Sequence, residues 1–169
     1  MSRAFRWFSR NNIVMQSLDK LDLAVLQELQ RDGRMTSAEL ADRVGLSPSA
    51  TLRRVRRLED GGVIDRYVML VNPAAVGRNV SVFVEISLDS QSEELLEEFE
   101  LAISKASQVM SCHLMAGDSD YLVHVMCADV AGYEQVHQFL ASLPHVANLR
   151  SNFAIRQVCA RTEVPLQTS

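Results

Sequence analysis

Four arginines lie within five positions of the stretch LSPSATLRRVRRLEDGG, residues 46–62. They are Arg53, Arg54, Arg56 and Arg57. A guanidinium stays charged at physiological pH and presents a planar fork of donors that suits carboxylates, phosphates and guanine edges. The chemistry that this cluster could perform is therefore anion recognition. The alternative is a solvated helix face that is tuned by the adjacent Glu59 and Asp60.

The charge of the chain is divided unevenly along its 169 residues. Residues 1–72 hold 12 Lys and Arg against 9 Asp and Glu, whereas residues 73–169 hold 5 against 12, and the formal net charge is −4. Halves of opposite charge predict two domains with different partners. The 47% hydrophobic content and the absence of a run of about 20 apolar residues favour a soluble, ordered protein.

The first 17 residues predict a disordered extension without a fold of its own. The stretch MSRAFRWFSRNNIV lacks the uninterrupted apolar segment of a signal peptide, and Met15 is a possible alternative start. Three cysteines, Cys112, Cys127 and Cys159, show no metal-like spacing, which fits the reducing cytoplasm.

Residues 18–72 predict a helix-turn-helix domain. The stretch 19–30 has apolar residues at helical spacing, Thr36 and Glu39 form a capping box for a second helix, and Ser47 with Pro48 starts a third. Three short helices of which the last two are joined by a turn containing glycine are typical of this unit. The alternating residues 63–71 predict a strand or short hairpin after the third helix.

The third helix divides into two faces at 100° per residue. Leu52, Val55 and Leu58 form the face that we expect to be buried. The opposite face suits the major groove of DNA, and the helix N-termini offer amides to phosphate. The predicted DNA contacts are Thr36, Ser37, Ser47, Ser49, Ala50, Arg53, Arg54, Arg56 and Arg57. Within this set, Ser49, Ala50, Arg53 and Arg57 point to bases, and Arg54 and Arg56 hold the DNA backbone.

Residues 73–169 predict a domain of the α+β class with the order β-α-β-β-α-β. Strands are expected at 80–88, 109–116, 121–128 and 146–158, and helices at 92–106 and 129–143. This order is the ferredoxin-like arrangement, an antiparallel sheet with both helices on one face. Phe83 falls on the other face, and its apolar surface favours dimerisation sheet to sheet.

The turn Gly117-Asp118-Ser119-Asp120 between the two middle strands is a candidate ligand site. Asp118 and Asp120 could accept hydrogen bonds from an ammonium group, and Gly117 could expose backbone amides to a carboxylate. The alternative is that these residues are only good turn formers.

Three stretches carry a resemblance to a known family: LDKLDLAVLQELQRDGRMT, ELADRVGLSPSATLRRVRRLEDGGVI and CHLMAGDSDYLVHV. In this order they resemble the Lrp/AsnC (feast/famine) transcriptional regulators, from about Leu18 to Leu166. The resemblance implies a winged helix-turn-helix reader of double-stranded DNA joined to a ligand-sensing domain. It also implies a homodimer that assembles to an octamer, with no cofactor, no metal and no membrane.

The resemblance further implies an effector, an amino acid or a related small molecule, bound between dimers near the turn. The implied effector residues are Met115, Ala116, Gly117, Asp118, Ser119, Asp120 and Tyr121. The family often carries Ser or Thr where this chain has Ala116, so one hydroxyl donor is missing.

Two other classes of function compete with a regulator. Siroheme decarboxylases are enzymes of the same architecture, and they would need histidines or arginines around a tetrapyrrole. His113, His124, His137 and His145 include no pair with metal-ligand spacing on one element, so an enzyme is not expected. A ligand-binding oligomeric scaffold without DNA contact is the second alternative, and the intact arginine helix disfavours it.

Overall fold

The computed structural model describes residues 17–166, which form two compact units. One unit comprises residues 17–70 and the tail from residue 159 onward, and the other comprises residues 71–158. The sequence placed the whole of 73–169 in the second domain, whereas the structure groups the tail with the first unit. Apart from Ser17, the predicted disordered extension lies outside the described residues.

The first unit contains three helices. They are α1 (Lys20–Arg31), α2 (Ser37–Val44) and α3 (Pro48–Asp60). Asp19, Thr36 and Ser47 cap their N-termini, and each side chain accepts a hydrogen bond from a backbone amide of the first turn. Gly45 ends α2 in the left-handed conformation, with a φ of 69°, which a residue without a Cβ adopts at little cost. The predicted capping box of Thr36 and Glu39 is confirmed.

The buried face of α3 differs from the prediction. Leu58 is fully buried and Val55 half-buried, but Leu52 is 38% exposed and Thr51 is fully buried in its place. The Thr51 hydroxyl donates to the backbone oxygen of Ser47 over 3.1 Å. A threonine can therefore be buried here, because its one polar atom has a partner inside the helix. Leu52 is left on the surface beside the arginines.

The strand predicted at 63–71 is wrong for this chain, because residues 61–79 contain no strand. Val63 and Ile64 pack against the core of the first unit, and the Tyr67 hydroxyl donates to Glu59 over 3.1 Å. The alternating pattern is satisfied by an extended segment, since a strand needs a hydrogen-bonding partner and no described segment supplies one.

The tail lies against α1, which explains its place in the first unit. The side chain of Gln30 donates to the backbone oxygen of Val164 over 3.2 Å and accepts from its amide over 2.6 Å. Leu166 packs against the apolar cluster that α1, α2 and α3 bury.

The second unit follows the predicted element order. Its elements are β1 (Val80–Leu88), α4 (Glu93–Ile103), β2 (Val109–Leu114), β3 (Tyr121–Cys127), α5 (Val130–Ala141) and β4 (Val146–Phe153), after a short 3-10 turn at Ala74–Val76. The strands form one antiparallel sheet in the order β2-β3-β1-β4. The predicted βαββαβ arrangement is confirmed, although β4 ends at Phe153 and not at residue 158.

One face of the sheet is covered by α4 and α5. Val82, Val84 and Ile86 on β1 are fully buried there, in a cluster with Phe99 of α4 and Leu140 of α5. The covered strands alternate as predicted, since β1 and β3 bury every second residue.

The opposite face of the sheet is uncovered in the single chain. Phe83 is 39% exposed, and its ring stacks on His124 with 4.6 Å between centroids. Ser81 Oγ lies 2.7 Å from Nε2 of the same histidine, and burial lowers the pKa of His124.

None of the helices between residues 17 and 166 combines the length and apolar composition that crossing a bilayer demands.

We expect Phe99→Ala to lower the free energy of unfolding by about 3–5 kcal/mol, because it leaves a cavity in the core of the second unit. Urea denaturation measures the loss. Leu101→Ala on the same helix is the matched control, since Leu101 is 63% exposed and its truncation should change the free energy by no more than about 0.5 kcal/mol. Equal losses in the two variants would contradict the assignment of the core.

Candidate functional site

Helix α3 presents a shallow surface depression that is lined largely by its own side chains. The lining residues are Ser49, Leu52, Arg53, Arg56, Arg57, Asp60 and Gly61. Four of them, Ser49, Arg53, Arg56 and Arg57, belong to the predicted DNA contacts. Leu52 is an addition, because the helical spacing had placed it in the core. An exposed leucine on such a surface can contact apolar groups such as the methyl of thymine.

The four arginines of α3 are not equivalent. Arg54 Nη1 lies 2.6 Å from Oδ2 of Asp19 and 2.7 Å from Oδ1 of Asp22, and Arg57 Nη2 lies 2.5 Å from the same Oδ1 of Asp22. Both carboxylates stand at the start of α1. No ion pair of Arg53 or Arg56 occurs within residues 17–166. Two arginines are therefore held by α1, and two are free in this part of the chain.

The carboxylate cluster is ordered by the helix cap as well as by the arginines. The Asp19 amide donates to Oδ2 of Asp22 over 3.0 Å, and the Asp22 amide donates to Oδ1 of Asp19 over 2.8 Å. Hydrogen bonds from the Asp22 amide and from Arg54 hold the pKa of Asp19 below its usual value, and the bond to Asp19 raises the pKa of Arg54.

Sequence reasoning missed Asp19 and Asp22 as partners of the arginines. Their spacing signals a helix cap, but the contact across 32 or more positions depends on how α1 crosses α3.

Two residues predicted to contact DNA, Thr36 and Ser47, have hydrogen-bond partners within their own helices. Thr36 Oγ1 accepts from the Glu39 amide over 3.3 Å, and Glu39 Oε2 accepts from the Thr36 amide over 2.8 Å. Ser47 Oγ accepts from the Ala50 amide over 3.3 Å. These hydroxyls therefore serve the helix caps, while Ser37 stays exposed in the first turn of α2. The first-turn amides are the groups that remain for phosphate.

The predicted ligand turn is exposed at its tip. Met115, Ala116, Gly117 and Asp118 are exposed, and Ser119 is half-buried. The turn is closed by a hydrogen bond of 2.8 Å from the Met115 amide to the backbone oxygen of Asp120. The carboxylate of Asp118 and the backbone of Gly117 are thus open to a ligand.

Asp120 is used by the fold of the same turn. Its side chain is buried, its Oδ2 accepts from the Leu88 amide over 2.8 Å, and its Oδ1 accepts from Gln91 Nε2 over 2.7 Å. A buried carboxylate with a bond on each oxygen holds the turn against the end of β1. Sequence reasoning missed Gln91, because an exposed polar residue before a helix gives no signal of this contact.

Tyr121, the last of the implied effector residues, faces the core. Its side chain is 1% exposed, its ring lies 4.5 Å from that of Phe99, and its hydroxyl donates to Glu100 over 3.0 Å. Burial raises the pKa of the Tyr121 hydroxyl. In the single chain this residue supports the turn from below and does not line its exposed surface.

Metal-ligating and nucleophilic side chains are dispersed. Within residues 17–166 no group of three His, Cys, Asp or Glu side chains is arranged to hold a metal ion. Burial raises the pKa of the Cys112 thiol to about 12, so that thiol stays protonated at neutral pH.

Two family models match successive parts of the chain. The model described as winged helix-turn-helix DNA-binding matches residues 18–65, and the model described as Lrp/AsnC ligand binding domain matches residues 81–164. The first range contains α1, α2 and α3, and the second contains the ligand turn.

Relatives match nearly the whole chain. The Bkd operon transcriptional regulator of Pseudomonas aeruginosa is 42% identical over 153 residues, which cover 90% of this chain and 100% of the relative. The leucine-responsive regulatory protein of Escherichia coli is 38% identical over 154 residues, which cover 90% of this chain and 94% of the relative.

Solved structures agree with these relatives. An AsnC family transcriptional regulator from Agrobacterium tumefaciens is similar, with a TM-score of 0.84 and 37% identity, over 87% of this chain and 96% of that chain. A transcriptional regulator of Neisseria meningitidis, solved as its L-Met complex, has a TM-score of 0.84 and 34% identity, over 88% of this chain and 97% of that one. An arginine-bearing third helix, a βαββαβ domain and this likeness along nearly the whole chain have one explanation: the protein belongs to the Lrp/AsnC family of transcriptional regulators.

Proposed function

We propose that this regulator reads double-stranded DNA with α3 and that its second unit binds an amino acid or a related small molecule. The observation that carries the DNA-reading proposal is the surface of α3, where Arg53 and Arg56 are exposed beside Ser49 and Leu52. Exposed arginines on the third helix of a helix-turn-helix unit are placed to enter the major groove. Because a DNA-binding regulator acts where the chromosome lies, we propose a cytoplasmic location.

The proposed contacts divide by what each side chain can reach. Arg53 and Arg57 lie one turn apart on the exposed face and serve as base-reading forks, together with Ser49 and Ala50. Arg56 is exposed and can bind backbone phosphate, and the amides of Ser37 and Ser47 at the starts of α2 and α3 add phosphate donors. The predicted contact at Thr36 is weakened, because its amide donates to Glu39. Arg54 was predicted as a backbone contact, but its ion pairs with α1 weaken that role.

The effector proposal rests on the exposed tip of the turn. Asp118 supplies a carboxylate for an α-ammonium group, and the backbone at Ala116 and Gly117 supplies amides for a carboxylate, with Met115 and Ser119 beside them. Asp120 and Tyr121 act from beneath by fixing the turn. The Neisseria meningitidis structure is an L-Met complex, and a feast or famine regulatory protein of M. tuberculosis with 35% identity was also solved with L-methionine, which makes L-methionine a reasonable first ligand.

We also propose that two chains dimerise through the uncovered sheet face and that dimers assemble further, to an octamer. Phe83 and the half-buried Leu122, His124 and Met126 lie on this face in neighbouring registers of β1 and β3. An apolar strip of this kind is covered economically by a second copy. Burial lowers the pKa of His124 and so favours the neutral ring, which can be covered without burying a charge.

The exposed arginines of α3 support a regulatory function and not a catalytic one. The relatives are named as transcriptional regulators, and this chain carries exposed arginines on its third helix. We therefore propose that the chain is not an enzyme.

Arg53→Ala combined with Arg57→Ala should strongly reduce sequence discrimination. Each lost bidentate base contact removes about 1–3 kcal/mol, so preference for a duplex that the wild type selects from random DNA should fall at least about tenfold. Fluorescence anisotropy with selected and random duplexes measures this ratio. The control is Arg31→Ala with Arg43→Ala, which removes the same charge from arginines paired with Glu28. If the α3 double variant kept the wild-type preference for the selected duplex, the proposal that Arg53 and Arg57 read the bases would be wrong.

Asp118→Asn should weaken binding of L-methionine at least about tenfold, because a charge-assisted hydrogen bond to the ammonium group is lost. Isothermal titration calorimetry on the full chain measures the affinity. Glu97→Gln, an exposed carboxylate on α4, is the control and should leave the affinity unchanged. Unchanged affinity in Asp118→Asn would exclude this carboxylate as a contact, and no heat with any amino acid would argue against a sensor.

Phe83→Lys should dissociate the dimer, because it places a charge in the middle of the proposed apolar interface. Analytical ultracentrifugation should give wild-type particles of an even multiple of 18.9 kDa and smaller particles for the variant. Leu101→Lys changes an exposed leucine on the helical layer and should keep the dimer. A variant that keeps the wild-type mass would place the dimer interface elsewhere.

A further inference from the structure

Asp22 is the most deeply buried acid of the first unit, and its partners are arginines of α3. Its side chain is 1% exposed, and its Oδ1 meets both Arg54 Nη1 at 2.7 Å and Arg57 Nη2 at 2.5 Å. A buried carboxylate needs cations and hydrogen-bond donors to offset its loss of hydration. Here the cations come from the helix that is proposed to read DNA.

The position of this carboxylate is fixed from a second direction. Its Oδ2 accepts from the Asp19 amide over 3.0 Å, as part of the capping box that starts α1. Both oxygens are therefore engaged, and the plane of the carboxylate cannot turn without breaking the cap. The carboxylate that Arg57 contacts is therefore held in one orientation.

The two captured arginines differ in exposure. The Arg54 side chain is 22% exposed, and its Nη1 is shared between Asp19 and Asp22. The Arg57 side chain is 48% exposed and contacts Asp22 through Nη2. The rest of its fork remains at the surface that Arg53 and Arg56 line.

We propose that Asp22 is a specificity-determining positioning residue of the reading helix. It withholds Arg54 from DNA phosphates, and it orients Arg57 so that the free part of its fork faces the bases. This inference rests on the proposed DNA-reading function of α3. It assigns to α1 a part in sequence discrimination that does not require α1 to touch a base.

The physical reason lies in the difference between phosphate and base contacts. An arginine that is free to move binds any phosphate and adds sequence-independent affinity through counterion release. A base contact needs a fork held at a set angle to the edge of a guanine. Fixing Arg57 and neutralising Arg54 therefore lowers affinity for random DNA while it preserves discrimination.

The direct test is Asp22→Asn in the full chain, since this substitution removes the charge and keeps the shape. Arg54 and Arg57 lose a charged partner and become able to bind phosphate, so the plot of log affinity against log salt for a random duplex should steepen by about 0.9 for each arginine that does so in a bound chain. Preference for a duplex selected by the wild type should fall at least about tenfold. Simple loss of stability would weaken both duplexes equally and would not steepen the slope. An unchanged slope with unchanged preference overturns the proposal.

Arg54→Gln and Arg56→Gln form a matched pair that needs no change at Asp22. Arg56→Gln should flatten the random-DNA slope by about 0.9 per bound chain, whereas Arg54→Gln should leave it unchanged. If the two variants flatten the slope equally, Asp22 does not withhold Arg54 from phosphate, and the proposal is overturned. This comparison can be made even if Asp22→Asn does not fold. The wild-type titration separates this inference from its premise. If the wild type shows no salt-dependent DNA binding, the DNA-reading function itself fails.

Discussion

The first unit depends on a buried negative charge. The Asp22 carboxylate lies between α1 and α3 with almost no access to water, and its charge is balanced by cations from the neighbouring helix. Leaving such a carboxylate without partners is strongly unfavourable, so α3 must cross α1 where Arg54 and Arg57 can reach it. The angle of α3 is thus tied to one acid at the start of the domain. Apolar contacts among Val25, Leu40 and Leu58 would by themselves tolerate more sliding, because they are not directional.

The second unit depends on the two unequal faces of its sheet. One face is sealed by α4 and α5, and the other carries the Phe83 and His124 stack in the open. The turn that offers Asp118 leads into β3, the strand that carries His124 on the uncovered face and Val123 in the core. A ligand at the turn and a second copy on the sheet would therefore act on the same strand, which is a short physical route between effector binding and assembly.

Local patterns predicted most of the fold, because they record interactions between near neighbours. The capping box at Thr36, the N-cap at Ser47 and the two-residue alternation in β1 each depend on positions fewer than five residues apart. Local patterns do not record contacts between residues that are distant in the sequence. The extended segment 63–71 has the pattern of a strand but lacks a partner, and Thr51 is buried in place of Leu52 because of how α3 is rotated against the other helices. The hydrogen bond between Gln30 and Val164 across 134 positions likewise gives no local signal.

The candidate sites show why residue type alone cannot assign function. Four arginines on α3 are chemically alike, yet Arg54 and Arg57 are bound to Asp22, while Arg53 and Arg56 form no ion pair within residues 17–166. The turn between β2 and β3 also has one paired and one exposed carboxylate. Asp120 is buried and accepts from Leu88 and Gln91, whereas Asp118 is exposed. In both places the fold pairs some members of a charged cluster and leaves others exposed. A buried ion pair or hydrogen bond is difficult to break, so the helix or turn that carries the exposed members is held in place while those members stay charged. The proposed contacts then belong to Arg53, Arg56, the outward part of the Arg57 fork and Asp118, and their placement depends on Asp22 and Asp120 beneath them.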